Sequence, residues 1–228
     1  VGALTAGLQL NAGRLNVDAT ASDLNAQVRG GVGIRAPFRF QAEATLERTP
    51  LSPLLVAAAP NPSVPIDGTI SAVISAAGDG NPGMEATATV DLRNLDVKVG
   101  DVPFALASPA RLSIAPGAVA VDSLLLRAGK ETAARVEGAL ALNERRNGID
   151  LRINGSLSDL LDFAEVARSK DPAYVRSAAG DSRVNLDLHV GGSLMAPEPA
   201  GTLTLEAGEL QYRDFPPLTN VKLAARVD

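Results

Sequence analysis

Two glycine-rich stretches and one histidine are the first places to look for chemistry in this sequence. Gly78–Gly83 spells GDGNPG, a literal G-x-G-x-x-G, and Gly31–Ala36 spells GVGIRA, its alanine-ended variant. Such a loop holds pyrophosphate when a strand precedes it and a helix follows, so that amides and the helix N-terminus face the anion. Here alternating strand residues follow each stretch, and Pro82 removes one of the amides. Both stretches are therefore expected to be turns, where Gly, Asp, Asn and Pro are at home. His189 is the only histidine. Alternation sets it with Asn185 and Asp187 on one side of a strand, with Val184, Leu186, Leu188 and Val190 on the other. A metal site needs further nitrogen or sulfur ligands, and the chain has no cysteine and no second histidine. A solvated surface histidine is the expectation. No G-x-S-x-G elbow and no convergent pair of carboxylates is present, so the chain is read as no enzyme, with no cofactor.

Composition narrows the remaining classes. The 228 residues carry 21 Lys and Arg against 26 Asp and Glu, a net charge of −5, and the two signs are mixed along the chain. Nucleic acid binding needs clustered cations or stacking aromatics, and neither is present. Hydrophobic residues make up 46%, yet aromatics only 3%, with no Trp. The apolar surface is Leu, Val, Ile and Ala, which makes a smooth aliphatic interior. The longest apolar run, Leu54–Ala59, is far shorter than the roughly 20 residues of a bilayer-spanning helix. Both ends of the sequence lie within strand patterns, so the chain is expected to be a piece of something longer.

The elements that carry these residues alternate with period two almost throughout. Phe38, Phe40, Ala42, Ala44 and Leu46 share one side, as do Ile70, Ala72, Ile74 and Ala76. The pattern continues through Val90 and Leu92, Val136 and Leu140, Leu151 and Ile153, Leu186 and Leu188, and Leu223. Polar residues fill the intervening positions, as in an antiparallel sheet with one dry face. Parity flips at small connectors: Leu8 and Leu10 are even, Leu15 and Val17 odd, with Ala12-Gly13 between. Such a switch keeps both flanks facing one way across a turn or bulge. Gly100-Asp101 does likewise, and Asn147-Gly148 is a favoured hairpin dipeptide. About fourteen to sixteen short strands are expected at this spacing.

Leu8–Val17 (LQLNAGRLNV) and Leu203–Tyr212 (LTLEAGELQY) spell nearly the same phrase, and LSPLL at Leu51 is matched by LSDLL at Leu157. Ser52 and Ser158 are the expected N-caps of two short helices near residues 52–59 and 158–168. An internal repeat follows: residues 1–48 as the tail of one unit, 49–156 as a complete unit, 157–228 as the start of the next. Inward positions are often small (Ala72, Ala76, Ala86, Ala88, Gly138, Ala225), so the lining is thin. A long sheet curled around such a lining leaves room for acyl chains, each buried methylene contributing about 0.8 kcal/mol. An outer-membrane barrel alternates too, but needs aromatic girdles that are missing here. The competing reading is a structural or adhesive stalk whose apolar face is a closed core.

The stretch VGGSLMAPEPAGTLTLEAGELQYRDFPPLTNVKLAARV (Val190–Val227) resembles the recurring sentence of the TamB family, the translocation and assembly module B proteins, and of their AsmA-like relatives. ISAAGDGNPGMEATATVDLRNLDVKV (Ile74–Val99) is a looser copy, with Asn94 at the place of the second glycine. The resemblance implies an all-β fold with two short helices: an elongated, strongly curved antiparallel groove, or β-taco, built from tandem repeats. It implies a periplasmic protein anchored in the inner membrane and reaching the outer one. Such a protein carries phospholipid, assists outer-membrane protein assembly and partners an Omp85-type barrel. The groove would be lined by Leu8, Leu10, Leu15, Val17, Phe38, Phe40, Ile70, Ile74, Val90, Leu92, Val136, Leu140, Leu151, Ile153, Leu186, Leu188, Leu203, Leu205, Leu210 and Leu223. Leu54, Leu55, Leu160, Leu161 and Phe163 of the two helices are expected to cover it.

Overall fold

The computed structural model describes residues 3–53, 65–80, 86–141, 148–161, 175–179, 182–193, 195–212 and 216–227. These form one antiparallel sheet of fifteen strands. In chain order they are β1 (Leu4–Asn11), β2 (Arg14–Ala21), β3 (Ala26–Gly33), β4 (Phe40–Pro50), β5 (Ile66–Gly78), β6 (Thr87–Val99), β7 (Val102–Leu106) and β8 (Ala110–Ala115). Then follow β9 (Ala118–Ala128), β10 (Thr132–Ala141), β11 (Ile149–Gly155), β12 (Val175–Ala179), β13 (Arg183–Ser193), β14 (Ala196–Tyr212) and β15 (Leu218–Val227). Sheet order follows chain order closely, since nearly every strand pairs with its successor. β7 and β8 lie end to end between β6 and β9, and β12 and β13 end to end along β14. β4 continues through residues 48–49 across one irregularity, and β11 pairs directly with β13, so the three expected units lie in one continuous sheet.

The parity flips have two structural outcomes. At Ala12-Gly13, with φ of 46° and 77°, the chain makes a two-residue turn that closes the β1–β2 hairpin at Asn11 and Arg14. At Ala207-Gly208 the same phrase runs on within the 17-residue β14. There the switch is an irregularity opposite Asn220, whose φ is 54°. One sentence of sequence thus folds as a hairpin near one end and as a single strand near the other. The Gly100 turn joins β6 to β7 as expected. Asn147 lies outside the described residues.

A line of extra residues crosses the middle of the sheet. β4 carries one between Leu46 and Thr49, β6 has Arg93, β7 and β8 are separated by 107–109, and β9 carries one between Val121 and Leu124. These interruptions are neighbours, so they form a crease, and inserted residues bend the strands that carry them. Each insertion shifts parity by one, which keeps aliphatic residues on the same face on both sides of the crease. Gly138 sits where β10 meets the crease, at φ 122°; a methyl there would collide with the Gly148 carbonyl oxygen. Gly138→Ala is expected to cost about 1–3 kcal/mol through backbone strain alone, read by urea denaturation. Unchanged stability would remove the crease as a constraint on the fold.

The second helix is capped two residues earlier than the sequence suggests. Residues 157–161 are helical, and the Ser156 hydroxyl, not Ser158, accepts from the Asp159 amide at 3.2 Å. Ser158 instead shares a 2.9 Å hydrogen bond with the Ser156 hydroxyl. That frees the buried Asp159 carboxylate to cross to the β9–β10 turn. There it accepts from the amides of Lys130, Glu131 and Thr132 at 2.8–3.1 Å and from the Thr132 hydroxyl at 3.0 Å. Burial by itself would raise this carboxyl's pKa, but the donated bonds outweigh it and hold the group below its ordinary value. The first helix shows residues 51–53 only, and Leu54, Leu55 and Phe163 lie outside the described residues.

Candidate apolar trough

Directly opposed residues of an antiparallel ladder share a face, so the strand registers trace rows across the sheet. One row runs Ala6, Ala19, Val28, Ala44, Ile74, Val90, Leu112, Val121, Gly138, Ile149, Val190, Pro199, from β1 to β14. All twelve positions are apolar. A second row runs Leu8, Val17, Gly30, Ala42, Ala76, Ala88, Ile114, Val119, Leu140. The row between them, on the other face, is polar from β2 to β8: Asp18, Arg29, Glu43, Ser75, Thr89 and Ser113. Cross-strand ion pairs stud that face: Asp18–Arg29, Asp91–Arg111, Arg152–Asp187 and Glu206–Lys222. The Arg111 guanidinium beside Asp91 holds that carboxyl below the usual range.

The registers bring the expected site residues together. Leu8 pairs with Val17 and Leu10 with Leu15; Phe40 meets Val32; Ile74 meets Val90, and Leu92 meets Ala72. Val136, Leu151 and Leu188 form one row, Ile153, Leu186 and Leu203 another, and Leu205 meets Leu223. Ile70 packs at the crease, and Leu210 joins the cluster around Leu205 and Val221. Phe38 alone departs: it precedes β4 in a turn after Pro37, at φ 52°, with its side chain against Gly80. The paired Arg39-Phe40 alternation extended the strand pattern too far. Val28, Leu112, Ile114, Val119 and Val121 were not named beforehand, although the alternation of Leu112-Ile114 and Val119-Val121 carries the same signal.

Among the described residues, nothing covers this face along most of its length. A compact 23.4 kDa chain exposes about 9,700 Å² on the usual scaling with mass, whereas this one exposes 14677 Å². Leu8, Leu10, Val28, Ile114 and Leu223 all face outward from the apolar rows and stay more than 40% exposed. Burial is deepest beside the crease, where Ala72, Leu92 and Ala110 sink below 9% exposure against Leu46, Ile70, Leu106 and Leu124. An uncovered flat sheet exposes both faces alike, so crowding of the aliphatic side marks it as the concave one. Leu157, Leu160 and Leu161 of the second helix lie over Val184, Leu203, Leu205 and Ala207, covering the lining near the far end. Among the described residues this is one curved sheet with an open aliphatic trough, not two sheets closed on a core.

Two polar features stand out among the described residues. The His189 ring lies against Gly148, and its Nδ1 is 2.8 Å from Asp150 Oδ1 on the adjacent strand. It is a half-exposed, partnered side chain on the polar face. No group of His, Cys, Asp or Glu among the described residues is placed to hold a metal. A cleft of about 470 Å³ opens beside Asp159, lined by Lys130, Asn154, Ser158, Arg183 and Asn185, and belongs to the helix clamp. No helix among the described residues is long and apolar enough to cross a membrane. No family model, no curated protein and no solved structure matches the chain.

Proposed function

We propose that this chain is a lipid-carrying segment of a TamB- or AsmA-like envelope bridge, with phospholipid acyl chains lying in the aliphatic trough. The reading rests on the row of twelve apolar residues that runs from β1 to β14, with none of the described residues over most of it. Exposed apolar area on that scale marks a binding surface. An aliphatic lining without hydrogen-bonding groups holds chains of methylenes by many small, non-directional increments and lets them slide. Head groups stay in water at the open side. The reading places the segment in the periplasm of a diderm bacterium, between inner and outer membranes, with an Omp85-type barrel as the outer-membrane partner of the whole protein and a supporting role in outer-membrane protein assembly.

Native mass spectrometry of the purified chain tests it. Adducts with phospholipid masses, released together on collisional activation, are the expected result. A chain that stays lipid-free after incubation with phospholipid vesicles would overturn the proposal and favour a structural stalk.

A further inference from the structure

The cleft beside the helix clamp has the charges of a zwitterionic head-group site, and we infer that it holds the phosphoethanolamine end of a phospholipid whose chains lie in the trough. This rests on the lipid reading and adds a head-group preference to it. The cleft is about 470 Å³, the size of a small-molecule site. It opens on the polar face at the end of β11 and the start of β13, where Asn154 stands opposite Asn185. Immediately beyond β11 the chain crosses the rim, and Leu157, Leu160 and Leu161 turn onto the trough lining. The apolar row Ala134, Ile153, Leu186 and Leu203 lies just inside the same rim. Acyl chains resting on that row bring their glycerol end to the cleft.

The cleft presents three charges to a ligand. Lys130 and Arg183 are exposed and form no ion pair among the described residues. Glu131, beside Lys130, is exposed and equally unpaired among them. The remaining charged group, Asp159, is engaged by three amides and a hydroxyl of the clamp. Those bonds fix the turn from which Lys130 and Glu131 spring, so their backbone is placed before any ligand arrives. A phosphodiester suits the two cations, and the Arg183 fork can bond two of its oxygens at once. The Ser182 hydroxyl accepts from the Leu157 amide at 3.3 Å, which leaves its own hydrogen to donate. An ammonium two carbons from the phosphate answers Glu131. A head group with negative charge alone would instead leave Glu131 facing that charge.

Three lipids with the same acyl chains, compared by native mass spectrometry, read the head-group site apart from the trough: phosphatidylethanolamine, phosphatidylglycerol and diacylglycerol. Wild type should take up phosphatidylethanolamine at least about tenfold better than diacylglycerol and about threefold better than phosphatidylglycerol. The double variant Lys130→Gln, Arg183→Gln should bring both phospholipids down to the diacylglycerol level. Its uptake of diacylglycerol should be unchanged, since the trough and the clamp amides are untouched. Glu131→Gln should erase the preference for phosphatidylethanolamine over phosphatidylglycerol. Glycerophosphoethanolamine and inorganic phosphate, at the lipid's own concentration, should displace none of it. Displacement by either would assign the cleft to a soluble phosphate and overturn the inference. Equal uptake of the three lipids by wild type, or an unchanged preference in the double variant, would overturn it too and leave the trough standing. A chain that takes up none of the three would remove the lipid reading, and this inference with it.

Discussion

Asp159→Ala should destabilise the protein by about 3 kcal/mol, more than truncation of an ordinary surface aspartate by an order of magnitude. The carboxylate is buried and is the acceptor for three consecutive amides and a hydroxyl of the β9–β10 turn. Its removal leaves donors at Lys130, Glu131 and Thr132 without partners, and the helix at 157–161 loses its tie to the sheet. Leu157, Leu160 and Leu161 would then lift from Val184 and Leu205. Asp159→Asn keeps one acceptor oxygen and should cost about half as much. Because the folded pKa lies below the unfolded one, near 3.9, this stabilisation is fully present above about pH 4. It is lost as pH falls through the lower folded value. The wild type should therefore show an acid limb in stability that Asp159→Asn lacks. A mutant as stable as wild type, with the same acid limb, would remove the clamp from the account.

Placing one charge in the trough should abolish lipid binding and leave the sheet standing. Ile114 lies in the second apolar row between Ala88 and Val119 and is 47% exposed. Ile114→Asp keeps its ion within reach of water when the trough is empty. With an acyl chain over it, the ion is desolvated at a cost of several kcal/mol. Bound phospholipid should fall at least about tenfold. Leu188→Asp, between Leu151 and Gly201, should do the same at the other end of the sheet. Leu205→Asp is a poorer probe than its sequence position suggests, since Leu205 packs under the second helix. His189→Ala is likewise no neutral control, because it breaks the contact with Asp150. Ser113→Asp puts the same charge on the polar face, one residue away, and should bind lipid as wild type does. Equal binding by Ile114→Asp and Ser113→Asp would assign the lipid to some other surface.

Much of this architecture is legible in the residues because strand alternation is local. The crease, too, is written as parity shifts, from Leu92 to Leu95 and from Val121 to Leu124, each of which keeps its flanks on one face. What the phrase shared by Leu8–Val17 and Leu203–Tyr212 hides is whether the chain reverses. Ala12-Gly13 adopts two left-handed residues and turns, whereas Ala207-Gly208 is kept in one strand by β15 along one side and by β13 up to Glu206 and β12 from Glu209 along the other. That choice depends on neighbours and not on the ten residues themselves. Phe38 failed for a related reason, since Arg35–Phe38 closes a turn that period-two counting cannot see. The Asp159 clamp is hidden more deeply: its donors lie 27 to 29 residues away and are backbone amides joined by a single threonine hydroxyl, which no side-chain pattern announces.

The claim that acyl chains lie along the aliphatic face is tested most directly by a phospholipid with a photoreactive group midway along its acyl chain. Bound to the purified chain, irradiated and digested, it should label peptides at Ala44, Ile74, Leu112 and Val121, the middle of the row of twelve, and spare Glu43, Ser75 and Ser113 on the opposite face. Label spread evenly over both faces, or gathered in the polar cleft by Lys130 and Arg183, would contradict it.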